Sequence, residues 1–180
     1  TFSRASSGTY VDSDGLIKNS PVNLLRYSEE LDRGAWQKYR VSADPNSSVA
    51  PDGTLTADKI IEDVGTSEDH LVLRSTALES TTYSYSFYAK AGGRSALIVS
   101  RATANQTSFT HFFTLEDSGT ATGGGSIVAL SNGWYRCSGQ TTLTNTGSGG
   151  FAVRLADSSG NTIYNGDGTS GIYLWGGQLE

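Results

Sequence analysis

The sequence contains one cysteine, no methionine, three prolines and two histidines in 180 residues. A single cysteine excludes an intrachain disulfide framework and any zinc site built on cysteine pairs. In the run Tyr135-Arg136-Cys137-Ser138, alternation gives Cys137 the role of a small inward hydrophobe. No window approaches the roughly 18 consecutive apolar residues of a membrane-spanning helix. Basic residues are scarce and scattered: 13 Lys and Arg against 18 Asp and Glu give a net charge of −5. That balance argues against a nucleic-acid backbone as partner, and no polyanion or membrane patch stands out along the chain. The missing methionine and a start at Thr1 lead to the expectation of a piece of a longer protein.

Catalytic signatures are equally sparse. General acid–base chemistry and nucleophilic triads lean on histidine, and only His70 and His111 are present. His111 shares a strand face with Phe109 and Phe113, the setting of a satisfied core histidine. Neither a G-x-S-x-G elbow nor an H-E-x-x-H pair occurs. A glycosidase needs two carboxylates facing across a cleft, whereas Glu62-Asp63 and Glu68-Asp69 read as solvated charges flanking a loop. Gly166-x-Gly-x-x-Gly171 matches the dinucleotide fingerprint by letter. The fingerprint needs a following helix, and Ile172-Tyr-Leu-Trp175 reads as strand. No enzyme activity is expected.

What the chain does hold is 22 glycines among many serines and threonines, a composition of short strands joined by tight turns. Strands are predicted near 22–27, 37–42, 57–63, 69–76, 82–91, 95–103, 107–116, 126–131, 134–144, 150–157 and 171–179. Turn signals such as Pro51-Asp-Gly53, Gly92-Gly93, Asn132-Gly133 and Gly166-Asp-Gly168 separate them. The stretch Ser28–Arg33 fits one helical turn capped by Ser28. Many short strands at this spacing predict an all-β sandwich or barrel.

Alternation assigns faces. Tyr83, Tyr85, Phe87 and Ala89 point inward, leaving Ser84, Ser86, Tyr88 and Lys90 outward. Leu71 and Leu73 read as inward, turning His70, Val72 and Arg74 outward. Phe109, His111, Phe113 and Leu115 share one face and leave Phe112 on the other. Tyr135 and Cys137 oppose Trp134, Arg136 and Ser138, and Phe151, Val153 and Leu155 oppose Arg154. Trp134 and Trp175 read as packing residues.

Residues 1–21 stand apart. The run Phe2–Ile17 is a short strand, an Asp-Gly turn and a second strand. It has too little apolar surface to fold alone, so it must lie on the main domain or on a neighbouring protein.

Five blocks, Asn23–Trp36, Ala50–Lys59, Ser84–Gly93, Asn132–Cys137 and the closing Gly168–Glu180, occur in an order and spacing that resemble a domain of phage tail and fibre proteins. That domain is similar to the jelly-roll carbohydrate-binding modules of polysaccharide-degrading enzymes. The resemblance spans residues 22–180, and the 1–21 run resembles an arm that precedes such domains in phage structural proteins. It implies a jelly-roll β-sandwich that binds an oligo- or polysaccharide in a virion or extracellular setting, with other virion proteins held through residues 1–21. The alternative is a structural spacer or decorating domain that contacts only virion proteins.

A sugar site combines aromatic platforms with planar, multi-donor side chains. The outward candidates are His70, Arg74, Tyr88, Phe112 and Arg136, with Trp36 on a flanking loop. If their strands share a sheet they form one shallow groove; otherwise outward Arg and Tyr merely cover strands with their apolar stems. The resemblance also implies a structural calcium held by an acid after the first strand and an aspartate in the last. Asp32 stands at the first position, and Trp175-Gly-Gly replaces the second acid.

Overall fold

The computed structural model describes residues 9–11, 13–19, 22–65, 67–103, 106–144 and 147–180. Its strands run β1 (Thr9–Val11), β2 (Ile17–Asn19), β3 (Gln37–Tyr39), β4 (Val41–Ser48), β5 (Ala57–Glu62), β6 (Glu68–Asp69), β7 (Leu71–Leu78) and β8 (Thr82–Gly92). They continue as β9 (Ala96–Thr103), β10 (Gln106–Thr114), β11 (Thr120–Thr122), β12 (Gly125–Ala129), β13 (Trp134–Thr142), β14 (Gly147–Ala156), β15 (Ile163–Tyr164) and β16 (Gly171–Leu179). Two six-stranded antiparallel sheets face each other, a front sheet ordered β12-β13-β8-β16-β5-β4 and a back sheet ordered β11-β10-β9-β14-β7-β3. The chain is therefore an all-β sandwich, as its turn spacing predicts, of the jelly-roll type that the resemblance implies.

The core is aromatic where the sheets meet. Tyr85 and Phe87 of the front sheet contact Phe151 of the back sheet at ring centroids of 5.3 and 6.5 Å, and Phe87 meets Phe113 edge-on at 6.2 Å. Such tilted pairs add to simple area burial. His111 lies in the same layer and shares a 2.6 Å hydrogen bond through its Nδ1 with the Tyr85 hydroxyl. Burial lowers the His111 pKa, so it packs as a neutral ring. The faces expected for β8, β10, β13 and β14 are those observed.

Strand β7 is the exception. Val72, expected outward, is fully buried in the main core, whereas Leu71 and Leu73 belong to the opposite face. Apolar residues occupy three successive positions here, so alternation carries no signal. Leu73 lies over Gly150 of β14, where a Cβ would collide with its side chain.

Strand β16 takes the centre of the front sheet, paired with β8 on one side and β5 on the other. Trp175 opposes Tyr88 and Gln178 opposes Ser86, so three steps on β16 match two on β8. This is a β-bulge at Gly176-Gly177, with Gly176 in the left-handed region at φ 62. The bulge switches parity: Ile172, Leu174 and Leu179 all face the core, while Tyr173, Trp175 and Gln178 face out. Its extra backbone groups are satisfied by the segment predicted as the first strand. Asn23 Nδ2 donates to Gly177 O at 2.8 Å, Asn23 Oδ1 accepts from Leu179 N and Leu25 N, and Ser28 O accepts from Gly177 N. Residues 22–27 thus form a clasp rather than a strand, and Ser28–Arg33 forms successive turns rather than a helical one.

A second anchor fixes the loop between β14 and β16. The Glu62 carboxylate, at the end of β5, accepts two hydrogen bonds from Arg94, one from the Tyr164 hydroxyl and one from Asp167 N. Burial alone raises its pKa, but these donors outweigh burial and hold it below the ordinary carboxylate value. In the arm, β1 pairs with β2, Val11 opposite Ile17, and Val11, Leu16 and Ile17 are exposed, as is Val22 at the start of the main domain.

Replacing the clasp residue tests the bulge. Asn23→Ala strands a buried carbonyl and amide, so it should cost about 2–3 kcal/mol, lowering Tm by roughly 4–12 °C in a chain of this size. Thermal melts should place Asn23→Asp, which keeps the acceptor, between Asn23→Ala and the wild type. Equal melting of Asn23→Ala and wild type would show that the bulge is held by other contacts.

Candidate functional site

The outer face of the front sheet is built by cross-strand rows. Gln140 of β13 opposes Ser84 of β8, which exchanges backbone hydrogen bonds with Glu180. The next row is Ser126–Ser138–Ser86–Gln178, and the row after it Val128–Arg136–Tyr88–Trp175. The last is Trp134–Lys90–Tyr173–Lys59. Without the bulge, Gln178 would point into the core instead of joining Ser86 on this face.

The first two rows floor a groove of about 450 Å³, walled by Arg136 and Glu180. Gln140 Nε2 donates to Ser84 Oγ at 3.2 Å, and Ser86 Oγ donates to Gln178 Oε1 at 3.4 Å. These bonds orient the amides and leave the Gln178 amino group, the Gln140 carbonyl and the Ser84 hydroxyl proton available to a ligand. A second hollow of about 590 Å³ lies at the far end of the same face, over Lys90 and Trp134 and between the 48–53 and 130–132 loops. Tyr88 and Trp175, both half-buried, form the apolar ridge between the two, with ring centroids 5.4 Å apart. Trp175 Nε1 donates to Thr56 Oγ1, and Trp134, fully packed, donates to Val49 O.

The six candidate residues do not come together. Arg136 and Tyr88 are cross-strand partners on the front face. Phe112 is outward as expected, but on the back sheet, packed near Gly160. His70 and Arg74 also belong to the back-sheet side, and neither points to solvent as expected. His70 is fully buried beneath Tyr164, at a 4.7 Å centroid distance, and Arg74 donates to Ala35 O at 2.9 Å. Trp36, expected as a loop platform, is buried in the core and donates through Nε1 to Tyr27 O. An indole offers more apolar area than the short 28–36 loop can leave exposed. The single groove of the sequence reading is not formed, and the front-face groove has a floor, Ser126, Ser138, Gln140 and Gln178, and a wall, Glu180, that the outward candidates do not include. The available signal was the Trp175-Gly-Gly-Gln178 spacing, since paired glycines inside a strand mark a bulge.

Asp32 lines a surface hollow with Glu29, Glu30 and Asp58. Its carboxylate is exposed, and among the described residues no three acids, histidines or cysteines gather to hold a metal. The loop carbonyls are instead turned onto an ammonium group. Lys38 Nζ donates to the carbonyls of Leu31, Asp32, Arg33 and Trp36 at 3.0–3.2 Å. The nearby buried acid, Asp58, accepts from Leu31 N and Asn46 N. Lys38→Met should therefore cost about 2 kcal/mol by removing charge-assisted bonds, while a chelator leaves the wild-type Tm unchanged. A chelator-induced drop in Tm, restored by calcium, would contradict this assignment.

No protein-family model and no curated protein matches the chain. Solved structures do. The TmCBM61 module in complex with β-1,4-galactotriose aligns over 89% of this chain and 99% of its own length, at 13% identity and a TM-score of 0.50. The N-terminal CBM22-1–CBM22-2 tandem of Paenibacillus barcinonensis Xyn10C aligns over 91% of this chain at 12% identity and a TM-score of 0.51. The chain spans 51% of that tandem. At such identities the likeness is one of fold, and the fold is the β-sandwich of carbohydrate-binding modules.

Proposed function

We propose that this chain is a non-catalytic carbohydrate-binding module whose ligand lies along the outer face of the front sheet. The observation that carries the reading is the groove floor, where hydroxyls and oriented amides alternate donors with acceptors as a row of sugar hydroxyls requires. Tyr88 and Trp175 supply apolar surface for the C–H faces of a sugar. Glu180 is the only acid among the described groove-lining residues, so the pair of carboxylates that glycoside hydrolysis needs is not assembled there. The sandwich shared with modules such as TmCBM61 supports the same reading.

The wider setting follows from the sequence blocks that resemble phage tail and fibre domains. We place the module outside the cell, in a phage tail or fibre protein, where it recognises a surface glycan. A second role rests on the arm: Val11, Leu16 and Ile17 are exposed, with Val22 exposed beside them at the start of the domain, an apolar set suited to contact with another virion protein. The two roles use different surfaces and are compatible.

Retention on a panel of immobilised neutral and acidic polysaccharides tests the first role. Gln140→Ala and Gln178→Ala should each weaken retention on the best-bound polymer by about tenfold, which is roughly 1.4 kcal/mol. Phe112→Ala, on the back sheet, should leave it unchanged. Absence of retention on every polymer would leave the arm-mediated spacer as the function.

A further inference from the structure

The front face carries cations that the rest of the molecule does not neutralise. Elsewhere in this chain of net charge −5, several cations have partners: Arg40 faces Asp63 and Glu68, Arg94 faces Glu62, Arg154 faces Asp69, and Lys38 bonds four carbonyls, while Arg101 is buried on the back sheet with its Nε unbonded and out of reach of a ligand. Arg136 and Lys90 have no acid and no hydrogen-bond acceptor among the described residues. They are also neighbours. Arg136 opposes Tyr88 and Trp134 opposes Lys90, so the two cations occupy diagonal positions of one ladder, about 7–8 Å apart at the backbone. Two cations on one face without a counter-charge create a local positive potential that favours an anionic ligand.

Of the acids near this face, Asp52 lies in the 48–53 loop beside the far hollow and accepts from Thr54 N and Oγ1, and two others lie further off. Glu180 belongs to the Ser84 row, four residues along β8 from Tyr88, roughly 13 Å by strand rise. Asp44 lies at the opposite edge, beside Lys59. The Lys59 ammonium adds to the positive side, donating to Thr169 O and lying 5.7 Å from the Tyr173 ring. The cations occupy the ridge and the far hollow, while the near groove is floored by uncharged hydroxyls and amides.

Resting on the carbohydrate-binding reading, we infer that the ligand is an acidic polysaccharide, with a sugar carboxylate seated between Arg136 and Lys90. Guanidinium presents a planar fork that matches a carboxylate through two parallel hydrogen bonds. Lys90 adds a point charge from the adjacent strand, and the Ser and Gln floor takes the hydroxyls of the following sugars. A nucleic acid is a weaker fit, because backbone binding needs a track of cations with one per phosphate, and the groove floor beyond Arg136 carries none.

The test uses the intact chain in affinity electrophoresis through gels containing polygalacturonate, alginate or hyaluronate, with neutral galactan and xylan alongside and dextran sulfate and duplex DNA as polyanion controls. At least one polyuronate should retard the protein more than any neutral polymer, and retardation should weaken as salt rises. Arg136→Gln and Lys90→Gln should each weaken it about tenfold with an unchanged Tm, and Arg136→Lys should recover only part of the loss. Preferential retention by a neutral polymer, lost in Gln178→Ala but not in Arg136→Gln, would overturn the acidic ligand and leave the carbohydrate reading standing. Equal retention by dextran sulfate or DNA, lost in the same charge variants, would also overturn it. Failure of all polysaccharides would remove both.

Discussion

One backbone irregularity organises this molecule. The bulge at Gly176-Gly177 inserts an extra residue into the central strand of the front sheet, and everything beyond it changes face. Leu179 can then fill the core alongside Leu174, and Gln178 can join Ser86 outside. The bulge is possible because Gly176 accepts a left-handed conformation and because Asn23 and Ser28 bond the groups that the ladder leaves unpaired. The two ends of the described sandwich, far apart in sequence, are thereby tied at the point where core and outer face are both decided.

The outer face gains its chemistry from the same arrangement. Rows of side chains cross from β12 to β5, so the floor of the groove draws on residues as far apart in sequence as Ser84 and Gln178. Ser84 and Ser86 would make an unremarkable polar strand by themselves. Set beside Gln140 and Gln178, they become an oriented lattice of donors and acceptors. Charge behaves likewise: Lys90 and Arg136 are isolated in a net acidic sequence and adjacent only once β8 pairs with β13.

The sequence made some of this legible and hid the rest for physical reasons. Alternation was decisive where one face is apolar and the other polar, as in Tyr83–Lys90 and Trp134–Ser138, and those orientations match the structure. It failed in β7, where Leu71, Val72 and Leu73 give both faces the same character. It was mute for β4, an edge strand carrying Pro45 and a register shift between Asp44 and Ser48. Trp36 was misplaced because a turn-rich loop was read as exposed, although Trp36 anchors that loop in the core. Half of the candidate site escaped because sheet neighbours are set by topology: nothing local says that β16 lies beside β8, or that Phe112 belongs to the other sheet. The carbonyls around Asp32 meet Lys38, whose ammonium reaches them from seven residues downstream of the first of them, a contact that no local pattern signals.

Ligand binding on the front face makes a prediction at the level of single amides. The direct measurement is an amide chemical-shift titration of the labelled protein with an oligosaccharide cut from the best-retained polysaccharide. The predicted result is saturable shifts confined to Ser84–Lys90, Trp134–Gln140 and Trp175–Glu180, with Ile98, Phe112 and Arg154 of the back sheet unmoved. Shifts centred on the back sheet, with the Ser84–Lys90 amides silent, would contradict it.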